Sequence, residues 1–250
     1  MTRTLIWDLP VRIFHGLLVA GLGSAGVIAL ALDDDSALFP YHALIGLTLA
    51  LLVALRIVWG FVGTRYARFG SFWFSPRAVV AYMKGASRGG GTRHLGHNPA
   101  SAYVILLMLL LVAALAVTGV LLGRGYEGVK DIHEVCAYAL AAAAGVHVLG
   151  VALHTIRYRE NITASMVHGR KQADPGAGIP SARPMAAVVL VLLAGAWAWA
   201  LVSRYDAPTR TVTIPVLGVS LRLGDAERDE PRTPRPAERR AVDDDEDHDE

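Results

Sequence analysis

The stretch "DIHEVCAYALAAAAGVHVLGVALH", residues 131–154, decides how this chain is read. It is the start and body of an apolar helix, yet it carries His133, His147 and His154. The first two are fourteen residues apart and the last two seven apart. At about 100° per residue these steps fall only about 40° and about 20° short of whole turns, so all three imidazoles lie along one stripe. Ionisable groups in so apolar a segment are costly and mark function.

The composition places that helix in a membrane. Of 250 residues 53% are hydrophobic and 18% charged, and the mean hydropathy is +0.39, too apolar for an ordinary soluble domain. Five runs, 11–32, 38–62, 101–122, 132–156 and 185–202, approach the roughly 20 residues that cross a bilayer. The first is too long for a signal-peptide core and ends in "DDD" without a cleavage site, so it reads as a span. The single cysteine, Cys136, allows no intrachain disulfide, no thiolate metal cluster and no thioether-bound group.

Charge orients the spans. Residues 1–203 hold 16 Lys/Arg against 9 Asp/Glu, and residues 204–250 hold 8 against 13. Basic residues crowd loops 63–100 and 157–184, whereas the "DDDS" turn has none. The N-terminus and both basic loops are therefore expected on the cytoplasmic side of a bacterial inner membrane, with the C-terminal tail periplasmic. This distribution does not describe a nucleic-acid binder.

Local signals subdivide the chain. Asp8 before Leu9-Pro10 is a helix start, and Ser75-Pro76 begins a short surface helix, "SPRAVVAYMKG". "SRGGGTRHLGHNP" follows as a flexible stretch that Asn98-Pro99 ends. In the tail, "TVTIPVLGVSLRL" alternates like a strand or hairpin, and "DEPRTPRPAERRAVDDDEDHDE" is expected to be disordered. The expected divisions are 1–172 for a four-helix membrane domain, 173–203 for a linker and fifth span, and 204–250 for an acidic tail. "GLGSAG" (residues 21–26) lies mid-span with no strand before it, so its glycines serve close helix packing or a flat ligand and not a dinucleotide. Tyr41, Trp59, Trp73, Trp197 and Trp199 read as interface anchors.

Depth sorts the histidines. The fourth span enters from outside near Asp131, so His133 is near the outer surface and His147 roughly 21 Å deeper. His42 starts the second span at the level of His133, and His15 lies in the cytoplasmic half of the first. The inner partner on the fourth span is either His147 or His154. Two levels, each with a histidine on two helices, are what two stacked bis-histidine haems require. A histidine-lined proton or metal transporter is the rival, but the spans contain no carboxylate other than Glu134 near the surface. Arg56 is fourteen residues after His42, on the same stripe; it either pairs with the carboxylates of the inner haem or snorkels to the inner surface.

The segments "WDLPVRIFHGLLV", "YHALIGLTLALLVALRIVWGFVGTRYARF", "GHNP" and "IHEVCAYALAAAAGVHVLGVALHTIRYRENI" resemble the prokaryotic cytochrome b561 family, which includes the b-type cytochrome subunits of nickel–iron hydrogenases. The resemblance covers about residues 5–172. It implies an all-α integral membrane fold, a four-helix bundle holding two haems b, to which this chain adds a fifth transmembrane helix and the acidic tail. It implies His15 and His147 as axial ligands of the inner haem iron, His42 and His133 as those of the outer, and His154 as a histidine near a haem propionate or quinone. The chain departs from the family at Gly16, where a tryptophan is usual.

The function expected is electron transfer between the quinone pool and a redox partner, either a hydrogenase-like subunit or a periplasmic c-type cytochrome. A superoxide:quinone oxidoreductase is the alternative within the class. Quinone chemistry is expected near His154, His97 and Arg56. The run "DDDEDHDE" (residues 243–250) is expected to attract basic carriers.

Overall fold

The protein, described from a computed structural model, is defined over residues 2–87 and 93–224. The acidic run of the tail, 225–250, and residues 88–92 of the glycine-rich stretch lie outside the described residues. Five helices are long and apolar enough to cross a membrane: α1 (Leu9–Ala31), α2 (Pro40–Val62), α4 (Pro99–Gly123), α5 (Lys130–Tyr158) and α7 (Pro184–Ser203). The short helices α3 (Pro76–Ser87) and α6 (Ile162–His168) lie between spans, and the described residues also form five short strands.

The helix ends are set by the residues that the sequence marks. The Asp8 carboxylate accepts from the Val11 amide at 2.9 Å and so caps α1. Its second oxygen accepts from Thr64 Oγ1 at 2.6 Å and Trp59 Nε1 at 3.1 Å, tying the start of α1 to the end of α2. Asn98 and Ser101 form a reciprocal capping box at α4, with Pro99 in its first turn. Trp59 is thus an internal donor. Trp197 likewise donates to the Leu47 carbonyl at 3.1 Å, so of the five expected interface anchors only Trp73, Trp199 and Tyr41 are exposed.

Packing runs in a chain: α5 on α4, α4 on α2, α2 on α1, with α7 against α1 and α2. A mid-bundle core joins Phe14, Leu49, Leu52, Val53, Leu109, Val112, Leu140, Leu190 and Ala194. α1 and α5 do not close the ring, because a cavity keeps them apart. α5 consequently buries only Leu140 and Ala143.

Each end of the bundle carries a small sheet. At the N-terminal face, β1 (Thr2–Leu5) pairs antiparallel with β2 (Arg170–Ala173), Thr2 opposite Ala173 and Leu5 opposite Arg170. Ile6, Trp7, Tyr66 and Ile179 pack beside it. The turn into β2 needs glycine: Gly169 has φ +79°, and a Cβ there would stand 2.8 Å from the Trp7 carbonyl. At the opposite face β3 (Tyr205–Asp206), β4 (Thr211–Thr213) and β5 (Ser220–Arg222) form a three-stranded antiparallel meander. The hairpin expected over "TVTIPVLGVSLRL" is therefore present, with a further strand before it. Val212, Leu221 and Leu223 are at most 2% exposed against Leu44 and Leu201. Such burial is worth about 1.5–3 kcal/mol per side chain, enough to fix the sheet to the helix ends.

Candidate functional site

The gap between α1 and α5 is a cavity of about 2750 Å³. A pocket for one small ligand is typically about 300–1,000 Å³, so this one has room for more than one large group. Its walls are flattened by small residues, among them Gly23, Gly26, Gly46, Ala137, Ala141 and Ala144. A Cβ added at Gly23, Gly26 or Gly46 would meet nothing within 4 Å, so these glycines face open space. Gly21 differs: its Cβ would stand 2.7 Å from Leu49 Cδ2, and it serves helix packing. Gly16 is exposed and outside the cavity wall.

All four paired histidines line this cavity: His15 on α1, His42 on α2, and His133 and His147 on α5. At the far face, the His42 and His133 rings are 6.3 Å apart between centroids, with planes 68° apart. Two imidazoles on one metal, each bonded at about 2 Å with the nitrogen about 1 Å from its ring centre, stand about 6 Å apart. The second nitrogens are occupied. His42 Nδ1 lies 2.9 Å from the Ala25 carbonyl, which can only accept, so Nδ1 carries the hydrogen. His133 Nδ1 lies 2.8 Å from Thr118 Oγ1, whose own hydrogen is directed to the Ala114 carbonyl at 2.9 Å. Both rings are thus held as the tautomer whose Nε2 keeps its lone pair, the arrangement that metal-bound histidines use. Phe39 stacks on His42 at 5.7 Å.

His15 and His147 stand at the N-terminal end of the cavity, and a polar chamber adjoins them. His97, on the loop before α4, is wedged against Trp7 and Phe72, with centroids 4.9 and 4.1 Å away. Burial first, then the charges of Arg56 and Lys171 and the imidazoles of His147 and His15, push the His97 pKa down to about 3. What surface it exposes faces the cavity, and its Nδ1 is sealed and without a hydrogen bond.

Arg56 does not snorkel. It is 4% exposed, donates through Nη2 to the Ala67 carbonyl at 3.0 Å, and lies over the Phe69 and Phe72 rings. Phe69 reaches it by packing on the bare backbone of Gly60, where any Cβ would collide with the ring. Arg56 Nη1 has no partner, and neither nitrogen of His154 has a hydrogen bond; His154 Nε2 lies 3.9 Å from Glu160 Oε2. Four sealed, unsatisfied polar atoms around one cavity end are the mark of a site for a polar ligand.

Three residues of this chamber, Lys171, Glu160 and Arg93, carry no site signal in the sequence, where the two cations are only loop charges. Lys171 is 7% exposed, with Nζ 5.4 Å from the Trp7 ring centre. Glu160 is gripped by Arg93 at 2.7 and 3.0 Å. Burial would raise the Glu160 pKa, but the Arg93 hydrogen bond and charge, with Lys171 and His154, bring it below the usual carboxylate value. Among the described residues no three His, Cys, Asp or Glu side chains converge as a cage for a bare metal ion; His42 and His133 stand as a pair, as suits a metal whose other positions are already filled.

Residues 6–169 match the family model described as prokaryotic cytochrome b561. Searches of curated proteins and of solved structures give no match.

Proposed function

The chain belongs to the prokaryotic cytochrome b561 family, a membrane b-type cytochrome of electron transfer that binds haem b, and from that premise we propose a two-haem wire across the bilayer. His42 and His133 hold the outer haem, and His15 and His147 the inner one. The observation that carries this reading is the His42–His133 pair: its 6.3 Å spacing and fixed tautomers leave two Nε2 lone pairs for one iron. Held there, haem would supply one-electron chemistry, and ligation by two histidines would favour electron transfer over oxygen binding. The chain's own part is to orient the rings through Ala25 and Thr118, exclude water with small-residue walls, and offer Arg56 to the inner haem's carboxylates.

The N-terminal chamber is the proposed quinone site, with the N-terminus cytoplasmic. His154 and His97 supply sealed nitrogens that can hydrogen-bond a quinone head group, and the Arg93–Glu160 pair and Lys171 border them. The redox partner on the other face is a hydrogenase-like subunit or a c-type carrier.

Pyridine-haemochrome assay of the purified protein tests the wire: two haems b per chain are expected, one in His42→Ala or His133→Ala and one in His15→Ala or His147→Ala. A colourless protein, or haem loss in His154→Ala with none in His147→Ala, refutes these assignments. His154→Ala should instead keep both haems and slow quinol-driven haem reduction.

A further inference from the structure

The meander β3–β5 lies beyond the family-matched residues, and the wire described above makes no use of it. It is nevertheless a wall of the cavity: Thr211, Ser220, Leu221, Arg222, Leu223 and Gly224 line it together with His42 and His133. The sheet is fixed on three sides. An added Cβ on Gly123 would stand 3.1 Å from the Arg222 carbonyl and 3.1 Å from Leu221 Cβ, so the end of α4 meets the strand directly. Arg210 donates to the carbonyls of Asp34 and Asp35 in the loop joining α1 and α2. Gly224 comes so close to Phe39 that an added Cβ would lie 3.3 Å from its ring, and Phe39 is the ring stacked on His42.

We propose that this meander is the roof of the outer haem site and decides which reactants reach it. This rests on the two-haem reading. Among the described residues the meander covers the His42–His133 end of the cavity. Small water-soluble ions, free superoxide among them, are therefore kept from the haem edge. The roof also withdraws water from a cationic ferric centre, which favours the reduced state.

The test uses a His15→Ala background, in which only the outer haem remains. One haem per chain is expected there; none or two overturns the two-haem reading and the roof with it. Three forms are compared in lipid nanodiscs: the full chain, a chain ending at Gly224 and a chain ending at Arg204. Oxidation of the reduced haem by ferricyanide is followed by stopped flow. The chain ending at Gly224 is the reference, because loss of the acidic tail by itself speeds the encounter with a trianion; the chain ending at Arg204 should react at least tenfold faster than this reference, with a lower midpoint potential. Should that chain fail to hold haem, Val212→Asp in the full-length protein lifts the sheet by placing a carboxylate in its core, and the same acceleration is expected. Equal rates with and without the sheet, or in Val212→Asp and its parent, overturn the proposal.

Discussion

The imidazole planes of His42 and His133 stand 68° apart, although the two residues lie on helices that do not pack side by side. Each orientation is imposed locally, His42 by the Ala25 carbonyl of α1 and His133 by Thr118 of α4. Four helices thus meet at one pair of rings.

Near-perpendicular axial imidazoles give a ferric low-spin centre a strongly anisotropic EPR signal. The oxidised protein is expected to display such a signal, and His42→Ala and His133→Ala should each abolish it while leaving the other haem's signal. A signal typical of coplanar imidazoles in its place would contradict the geometry.

Thr118→Val removes the acceptor for the His133 Nδ1 hydrogen. Partners of this kind raise ligand basicity, and losing one costs about 10–100-fold in metal affinity. The expected result is weaker haem retention at the outer site and an upward shift of that haem's midpoint potential, read by redox titration. The inner haem should titrate as before.

Arg56→Leu deletes a buried cation beside the inner site. Without it the ferric state is less disfavoured, so the inner midpoint potential should fall while the outer one stays. A shift confined to the outer haem would place Arg56 at the wrong end. The change also removes the Nη2 hydrogen bond to the Ala67 carbonyl, so the cofactor-free protein should lose about 0.5–1.5 kcal/mol of stability.

Glu160 supplies a pH dependence. Its carboxyl is held below the ordinary value, so its ion pair with Arg93 stabilises the fold fully above the unfolded-state pKa of about 4.3, and that contribution is lost as pH falls through the lower folded pKa. The side chains are 25% and 16% exposed, so the pair is worth roughly 1 kcal/mol. Thermal melts of the protein and of Glu160→Gln should differ steadily from pH 7 to 5 and converge below pH 4. A gap that persists at pH 3 would mean the pair is not what Glu160 contributes.

The spans, their caps and the histidine stripe are legible in the sequence because they obey local rules. Asp8 and Asn98 cap helices by short-range hydrogen bonds, and residues fourteen apart share a helix face whatever surrounds them. What escapes that reading is non-local. The pairing of residues 2–5 with 170–173 joins segments with four spans between them in the sequence, and no pattern within either announces it. Lys171 looks like one more positive charge in a basic loop until that pairing carries it beneath Trp7. Trp59 and Trp197 resemble membrane anchors because their donors' partners, Asp8 and the Leu47 carbonyl, come from distant stretches. Arg56 has the position of a snorkelling residue, and the Ala67 carbonyl, Phe69 and Phe72 arriving from the following loop keep it inside.

The separation of α1 from α5 bears on how the protein is made. Five helices can enter the bilayer and settle on one another with the groove still empty, since α5 leans on α4 alone and no packed layer must be parted. On the two-haem reading a flat, greasy ligand dissolved in the lipid would slip in sideways, and its histidine ligands would fasten α5 to α1 and α2 like a late-set rivet. Loading would then be a lateral event that follows insertion, with α5 held by its packing on α4 until the ligand bridges it to α1 and α2.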